Sequence, residues 1–258
     1  MTPYQRPKRR PRRPDGYVLL DRAWAERLGV RRSGGPYRIG RRELADRLAG
    51  LSGAKPFVDQ LQARIRDLAA NEPPRDDLTT LGGCSHVLGF YETAAFLAGS
   101  VRDFLAPGLR AGDAAIVVAN ASHRTLFGRA LEKAGIDVRA AQRSGRYIAL
   151  DASETLSTFM VTCMPDVARF SATVEKVIYR AAAGTRNVRI YGEMVAVLWD
   201  QGNVAAAIEL ERLWNDLAAR HPFSLFCAYP LHAFDTDADT EQFQQVCTQH
   251  SAVIPTVG

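Results

Sequence analysis

From residue 86 onward, short apolar runs alternate with longer amphipathic stretches. The runs are rich in β-branched and aromatic residues and predict strands at 87–91, 114–119, 147–150, 188–191 and 224–229. The stretches between and after them predict helices at 93–105, 122–134, 154–162, 167–183, 204–219 and 241–250. Such alternation is typical of a mainly parallel sheet with helices on both faces, so we expect an α/β fold. Gly135 and Gly184 stand where helices commonly end.

The front of the chain has a different pattern. Apolar positions at helical spacing predict three short helices at 21–28, 41–51 and 56–69, and NEPPRDD (71–77) has the composition of a linker. We therefore divide the chain into an arm (1–16), a small helical segment (17–75) and an α/β domain (82–258). A helix-turn-helix is one arrangement for the small segment, although its first turn, GVRRSGGPYRIG, is longer than the standard one.

The positive charge of the protein is concentrated at this front end. Residues 1–75 contain 18 lysines and arginines against 8 acidic residues, although the whole chain is only +5. Residues 1–14 have six cationic side chains, four prolines and no acid, which predicts a disordered basic arm. We expect DNA phosphates to contact Lys8, Arg9, Arg10, Arg12 and Arg13. A solvated tail and a docking segment for a signalling protein remain alternatives.

Several classes of protein are not expected. No apolar run reaches the length of a membrane helix and the N-terminus lacks the apolar stretch of a secretory signal, so we expect a cytoplasmic protein without a membrane partner. The four cysteines have no CxxC spacing and the five histidines no HxxxH spacing. We therefore predict buried free thiols, no metal site and no cofactor.

Ligands of open parallel sheets bind at the carboxyl ends of the strands, where helix N-termini point outward. These ends carry polar side chains, namely Tyr91, Glu92, Asn120, Ser122, His123, Arg124, Asp151, Ser153, Glu193, Tyr229 and His232. Helix capping is the simpler role for Ser122, Asp151 and Ser153. The second strand is followed by NASHRTLF where a nucleotide-hydrolysing protein would have GxxxxGK[ST], so ATP turnover is not expected. His123 and Glu193 could form an acid–base pair, but no nucleophile accompanies them.

One helix places a carboxylate toward the core. At 100° per residue from Val204, Glu211 falls inside a wide apolar arc, with Asn215 beside it. A buried carboxylate costs several kcal/mol unless it is paired or hydrogen-bonded. An ion pair with Arg189, an edge position that reaches water, and a polar pocket shared with Glu193 are all compatible with this position.

Six segments in this order resemble the MEDS family, named for the methanogen and methylotroph sensory domain of the dichloromethane-responsive repressor DcmR. They are HVLGFYET (86–93), VRDFLAPGLRAGDAAIVVA (101–119), VRIYGEMVAVLW (188–199), ELERLWNDL (209–217), LFCAYPLHAF (225–234) and HSAVIP (250–255). The resemblance implies a RecA- or KaiC-like domain without the phosphate-binding loop that senses small hydrocarbon derivatives. It also implies a pocket formed by His86, Tyr91, Glu193, Glu211, Asn215, Cys227 and Tyr229. Leu210 stands where the family often has a tyrosine. Family members commonly pair this domain with a DNA-binding helix-turn-helix or a histidine kinase.

We therefore expect a non-catalytic regulator that binds a small ligand, such as a hydrocarbon derivative. Its expected contacts are His86, Tyr91, Asn120, His123, Glu193, Glu211, Asn215 and Tyr229. This hypothesis assumes that Glu193 and Glu211 share one sheltered cavity. An atypical nucleotide-binding protein and a ligand-free adaptor are the alternatives, and homo-oligomer formation is left open.

Overall fold

The computed structural model describes residues 17–20, 37–40, 78, 85–183, 187–230, 233 and 240–255. Its strands are β1 (Tyr17–Leu20), β2 (Tyr37–Gly40), β3 (His86–Tyr91), β4 (Ala114–Ala119), β5 (Tyr147–Asp151), β6 (Met160–Val161), β7 (Met164–Pro165), β8 (Val188–Gly192), β9 (Ser224–Pro230) and β10 (Ala252–Pro255). Its helices are α1 (Ala94–Ala111), α2 (Ala121–Lys133), α3 (Val138–Arg143), α4 (Ala152–Ser157), α5 (Val167–Ala182), α6 (Met194–Asp200), α7 (Val204–Ala218) and α8 (Thr240–Gln249).

Six strands form the central sheet in the order β10-β3-β9-β8-β4-β5, and every neighbouring pair is parallel. The central strands read as continuous apolar runs because both of their faces are covered; all six residues of β4, for example, are buried. The predicted α/β class, a mainly parallel sheet flanked by helices, is confirmed.

The two faces of the sheet pack against different helices. One face, with Ile116, Ile190 and Leu225, packs against α4 to α8. The opposite face, with Val117 and Phe226, packs against α1, α2 and α3. Because successive side chains of a strand point to opposite faces, the position of a residue along its strand decides which of the two cores it enters.

Most of the helices begin at a capped residue. Asn120 caps α2 by accepting the His123 N–H, and Asp151 caps α4 by accepting from Ser153 and Glu154. The capping role considered for Asp151 is therefore confirmed, whereas at α2 the cap is Asn120 and Ser122 donates to it. Gly135 follows the end of α2 with φ +81, as expected of a glycine at a helix stop.

Some predicted elements need correction. The helix expected at 154–162 ends at Ser157, because the chain turns into the β6–β7 hairpin, where Thr162 and Cys163 have positive φ. Helices α3 and α6 and strand β10 were not predicted. The segment 17–75 also contains the antiparallel pair β1–β2, so it is not purely helical. The arm, the three front helices and Gly184 lie outside the described residues.

No helix among the described residues is both long enough and apolar enough to cross a membrane.

Candidate functional site

Four ionisable side chains meet inside the sheet–helix core, and we call them the interior cluster: His86, Glu211, Cys227 and His250. The exposed fraction is 5% for His86 and 0% for the other three residues. They come from β3, α7, β9 and the residue that follows α8. Their nearest ligating atoms all lie within 4.8 Å of one another.

The sequence positions these side chains through simple periodicities. Cys227 and Tyr229 are two residues apart on β9 and therefore point to the same face, toward α7. His86 begins β3, which pairs with β9. Glu211 lies in the buried stripe of α7 between Leu210 and Leu213, as its helical position predicted.

Hydrogen bonds orient both imidazole rings in the same way. His250 Nδ1 lies 2.7 Å from the Val246 carbonyl, which can only accept. His86 Nδ1 lies 3.0 Å from Asn215 Oδ1, and the amide of Asn215 is fixed because its Nδ2 donates to the Gln249 carbonyl. Each Nδ1 therefore carries a proton, and each Nε2 faces the cluster.

The Glu211 carboxylate lies between these rings. Its Oε1 accepts the Tyr229 hydroxyl at 2.8 Å and is 3.4 Å from His250 Nε2. Its Oε2 is 3.2 Å from His86 Nε2 but outside hydrogen-bond geometry. Burial alone would raise the pKa of Glu211, yet the two histidines outweigh it and hold that pKa below its ordinary value.

Burial is the largest cause of the pKa shifts of His86, Cys227 and the neighbouring Tyr229. It lowers the pKa of His86, with His250 adding to the effect, so the neutral ring is favoured. It also raises the pKa of the Cys227 thiol and of the Tyr229 hydroxyl, with the Glu211 charge as the second cause for each. Both groups are therefore held in their protonated, neutral forms.

A second set of polar side chains lies at the carboxyl edge of the sheet, and we call it the edge network: Tyr91, Asn120, His123 and Glu193. Glu193 is 4% exposed and follows β8 directly. Its Oε2 accepts the Asn120 backbone N–H at 2.9 Å, and its Oε1 accepts Asn120 Nδ2 and His123 Nδ1, both at 2.8 Å. The ring of Tyr91 contacts His123 edge-on, and burial, then Glu193, raises the pKa of the tyrosine.

The edge network places a carboxylate at the N-terminus of α2. That end of a helix attracts anions, and Glu193 already accepts the Asn120 N–H there. Another strand-to-helix junction, from β3 to α1, reads GFYETA at 89–94. It lacks the glycines and the lysine of a phosphate-binding loop as well.

The predicted site residues therefore fall into two groups. His86, Glu211, Asn215 and Tyr229 belong to or contact the interior cluster, as does Cys227, whereas the other four form the edge network.

The expectation that Glu193 and Glu211 share one cavity is wrong. Glu193 bonds to residues of the α2 side, Glu211 lies on the opposite face of the sheet, and they have no partner in common among the described residues. The ion pair considered between Glu211 and Arg189 is also wrong, because Arg189 lies beside Asp113 and donates to the Phe104 carbonyl.

Sequence reasoning missed His250, and no short spacing could have found it. The residue nearest to it in sequence within the interior cluster is Cys227, 23 positions away. The only available signal was its place at the start of the HSAVIP segment. The five arginines and lysines expected to contact DNA, and His232, lie outside the described residues.

A small apolar cavity of about 20 Å³ lies between the sheet and helices α4, α5 and α7. Val118 and Leu150, near the carboxyl ends of β4 and β5, and Met194, the first residue of α6, form part of its wall. Thr155 and Thr173 also line it, but their hydroxyls are hydrogen-bonded to other groups. Trp214 completes the wall, and its indole N–H is buried without a hydrogen-bond partner.

Comparison with known proteins identifies the family of the chain. The profile of the MEDS family, described as the MEthanogen/methylotroph, DcmR Sensory domain, matches residues 85–250. No curated protein matches the chain. Among solved structures, it is similar to the KaiC-like protein PH0186 from the hyperthermophilic archaeon Pyrococcus horikoshii OT3. The TM-score is 0.41 at 14% identity, over 61% of this chain and 67% of that one.

The family match spans both the interior cluster and the edge network, and it covers well over half of the 258 residues. The chain therefore belongs to the MEDS family of sensory domains.

Proposed function

We propose that this chain is a non-catalytic, cytoplasmic regulatory protein that detects a small, largely apolar molecule inside its MEDS domain. The observation that carries the proposal is the apolar cavity next to Trp214. A cavity measured in this way needs roughly 10 to 15 Å³ to hold one water molecule, so its volume suits a very small guest. The wall of the cavity is apolar, which favours a one- or two-carbon hydrocarbon derivative.

The edge network argues against the binding of a nucleotide phosphate at this end of the sheet. A triphosphate at the N-terminus of α2 would meet the Glu193 carboxylate, which already takes the place of an anion. Two negative groups that close together would repel each other by several kcal/mol where water is scarce. The residues at this end of the sheet stabilise the loop rather than offering a free cradle of N–H groups.

A ligand experiment tests the proposal. Thermal unfolding of the full chain should be measured with methanol, formaldehyde, dichloromethane and ATP with magnesium, each over a concentration series. A ligand that binds only the folded state at about 100 times its Kd adds about 2.7 kcal/mol, which raises the midpoint by about 5 to 10 °C in a domain of this size. We expect such a rise with at least one of the one-carbon compounds and none with ATP.

The opposite pattern would contradict the proposal. ATP hydrolysis that Glu193→Gln abolishes would make the protein a nucleotide-hydrolysing enzyme with an atypical phosphate site. Stability unchanged by every one-carbon compound would favour the adaptor without a ligand.

The output of the regulator is proposed to pass through the N-terminal segment. Strand β1 lies beside β10, the edge strand of the sheet, and β10 begins two residues after His250 of the interior cluster. A structural change at the interior cluster therefore has a short route, through β10 and β1, to the basic N-terminal segment. DNA is the partner that the charge of this front favours.

Replacing Lys8, Arg9, Arg10, Arg12 and Arg13 by glutamine in the full chain should weaken DNA binding and flatten its salt dependence. The slope of log K against log salt should fall by up to about 4.5, because each of the five lost phosphate contacts contributes about 0.9. Binding to a duplex across a salt series gives this slope. Glutamine at the exposed Arg129, Arg139 and Arg143 is the control. An unchanged slope in the arm variant would rule out the arm as the contact.

A further inference from the structure

We propose that the interior cluster is a four-ligand site for a divalent transition metal ion of the zinc class, held by His86 Nε2, Glu211, Cys227 Sγ and His250 Nε2. The site is separate from the apolar cavity, since none of these four residues lines it. The proposal therefore does not depend on the proposed ligand.

Three separations between candidate donor atoms, two of them to different oxygens of Glu211, are close to the edge length of a tetrahedral site. A tetrahedron with metal–ligand bonds of about 2.1 Å has edges of about 3.4 Å. The observed separations are 3.2 Å from His86 Nε2 to Glu211 Oε2, 3.4 Å from His250 Nε2 to Glu211 Oε1 and 3.5 Å from His86 Nε2 to Cys227 Sγ. The remaining separations do not exceed 4.8 Å.

The hydrogen bonds point to a cation between these atoms. Both Nδ1 protons are used outside the cluster, by Asn215 and by the Val246 carbonyl. Each Nε2 therefore points inward, and in a neutral ring it would offer its lone pair to the cluster. Next to His250 Nε2 lies a carboxylate oxygen, which is also an acceptor. Two acceptors at 3.4 Å repel each other unless a proton or a metal ion lies between them.

Two polar atoms of the cluster have no hydrogen bond in the described structure, Glu211 Oε2 and His250 Nε2. Both residues are fully buried, and an unsatisfied buried polar atom costs about 1 to 3 kcal/mol. A bound metal ion would satisfy both atoms at once. The backbone carbonyl and amide oxygen on the two Nδ1 atoms are the usual outer partners of metal-binding histidines.

The donor types indicate which metal would bind. Two imidazoles, one thiolate and one carboxylate suit a borderline-soft ion that accepts tetrahedral geometry, and zinc is the common example. All four positions are protein ligands and the site is closed to solvent, which is typical of a structural rather than a catalytic metal. The ion would join β3, α7, β9 and the end of α8.

The test uses the full chain without any affinity tag, because a polyhistidine tag binds the same metals. Protein purified without chelators should contain about one zinc ion per chain. After the zinc is removed, one equivalent of Co²⁺ should give the visible bands of a tetrahedral site and a near-ultraviolet sulfur-to-cobalt charge-transfer band. Cys227→Ser should lose that charge-transfer band. The control Cys247→Ser, which changes a cysteine outside the cluster, should keep it.

Two results would overturn the proposal. One is a wild-type chain that holds neither zinc nor stoichiometric cobalt, in which case His250 and Glu211 form a proton-bridged ion pair. The other is a cobalt spectrum that Cys227→Ser leaves unchanged. If the serine variant does not fold, zinc K-edge absorption of the wild-type protein decides the question: one sulfur neighbour supports the site, and none overturns it. Because no organic ligand is present in these measurements, they do not depend on the outcome of the ligand experiment.

Discussion

Replacing Glu211 by alanine is expected to lower the free energy of unfolding by about 3 to 5 kcal/mol, the range found when one partner of a buried charge network is removed. The carboxylate is fully buried and is the centre of the cluster. Without it, the Tyr229 hydroxyl loses its acceptor and the two histidines lose the charge between them. Urea unfolding of the wild-type and variant chains measures the difference.

Glu209→Ala is a matched control on the same helix. Glu209 is partly exposed and pairs with Arg212 three residues further on, so its loss should cost less than about 1 kcal/mol after allowance for solvent screening. If the two variants were equally stable, the interior cluster would contribute no more than a surface ion pair. Glu211→Gln should fall between them, because the amide keeps an oxygen for Tyr229 but has no charge.

The strands of the sheet could be predicted because a buried parallel strand has a simple signature. Residues 114–119 form an uninterrupted apolar run that coincides with β4. Helix α6 was not predicted because it is buried on nearly all sides, so MVAVLWD shows no amphipathic period. The β6–β7 turn was not predicted either. It needs positive φ at Thr162 and Cys163, two residue types that rarely adopt it.

The site could be predicted in part, for a related reason. Helical periodicity was sufficient to show that Glu211 points inward, since the apolar stripe of α7 is a local property. The face of the sheet that α7 covers depends on how the chain connects its strands and helices. Helical periodicity carries no information about these connections. This is why Glu193 and Glu211 were wrongly assigned to one cavity. His250 meets His86 only through the pairing of β10 with β3, a contact across more than 160 residues.

Trp214→Ala is expected to lower the free energy of unfolding by about 3 to 5 kcal/mol, the usual range when a large core aromatic is truncated. The indole is 1% exposed and packs edge-on against Phe170 of α5 and Phe223 before β9. Removing the indole ring would leave its volume empty and join that space to the small cavity. Urea unfolding should show this as a lower midpoint with an unchanged slope.

Trp214→Phe removes the indole N–H donor and keeps an aromatic ring at this position. The indole N–H has no partner in the described structure, so its removal abolishes no hydrogen bond, and the smaller ring should cost less stability than Trp214→Ala. If a ligand of the cavity accepts from this N–H, the phenylalanine variant should remain folded and lose most of the thermal stabilisation that the ligand gives the wild-type chain.

Trp199→Phe is the control for that experiment, because its indole N–H donates to the Ala233 carbonyl and the residue does not line the cavity. It should lose some stability, since a carbonyl loses its donor, and yet keep the full shift with ligand. Equal shifts in Trp214→Phe, Trp199→Phe and wild type would mean that the ligand does not contact the Trp214 N–H. If Trp214→Ala also kept the shift, the sensing site would have to lie elsewhere in the domain.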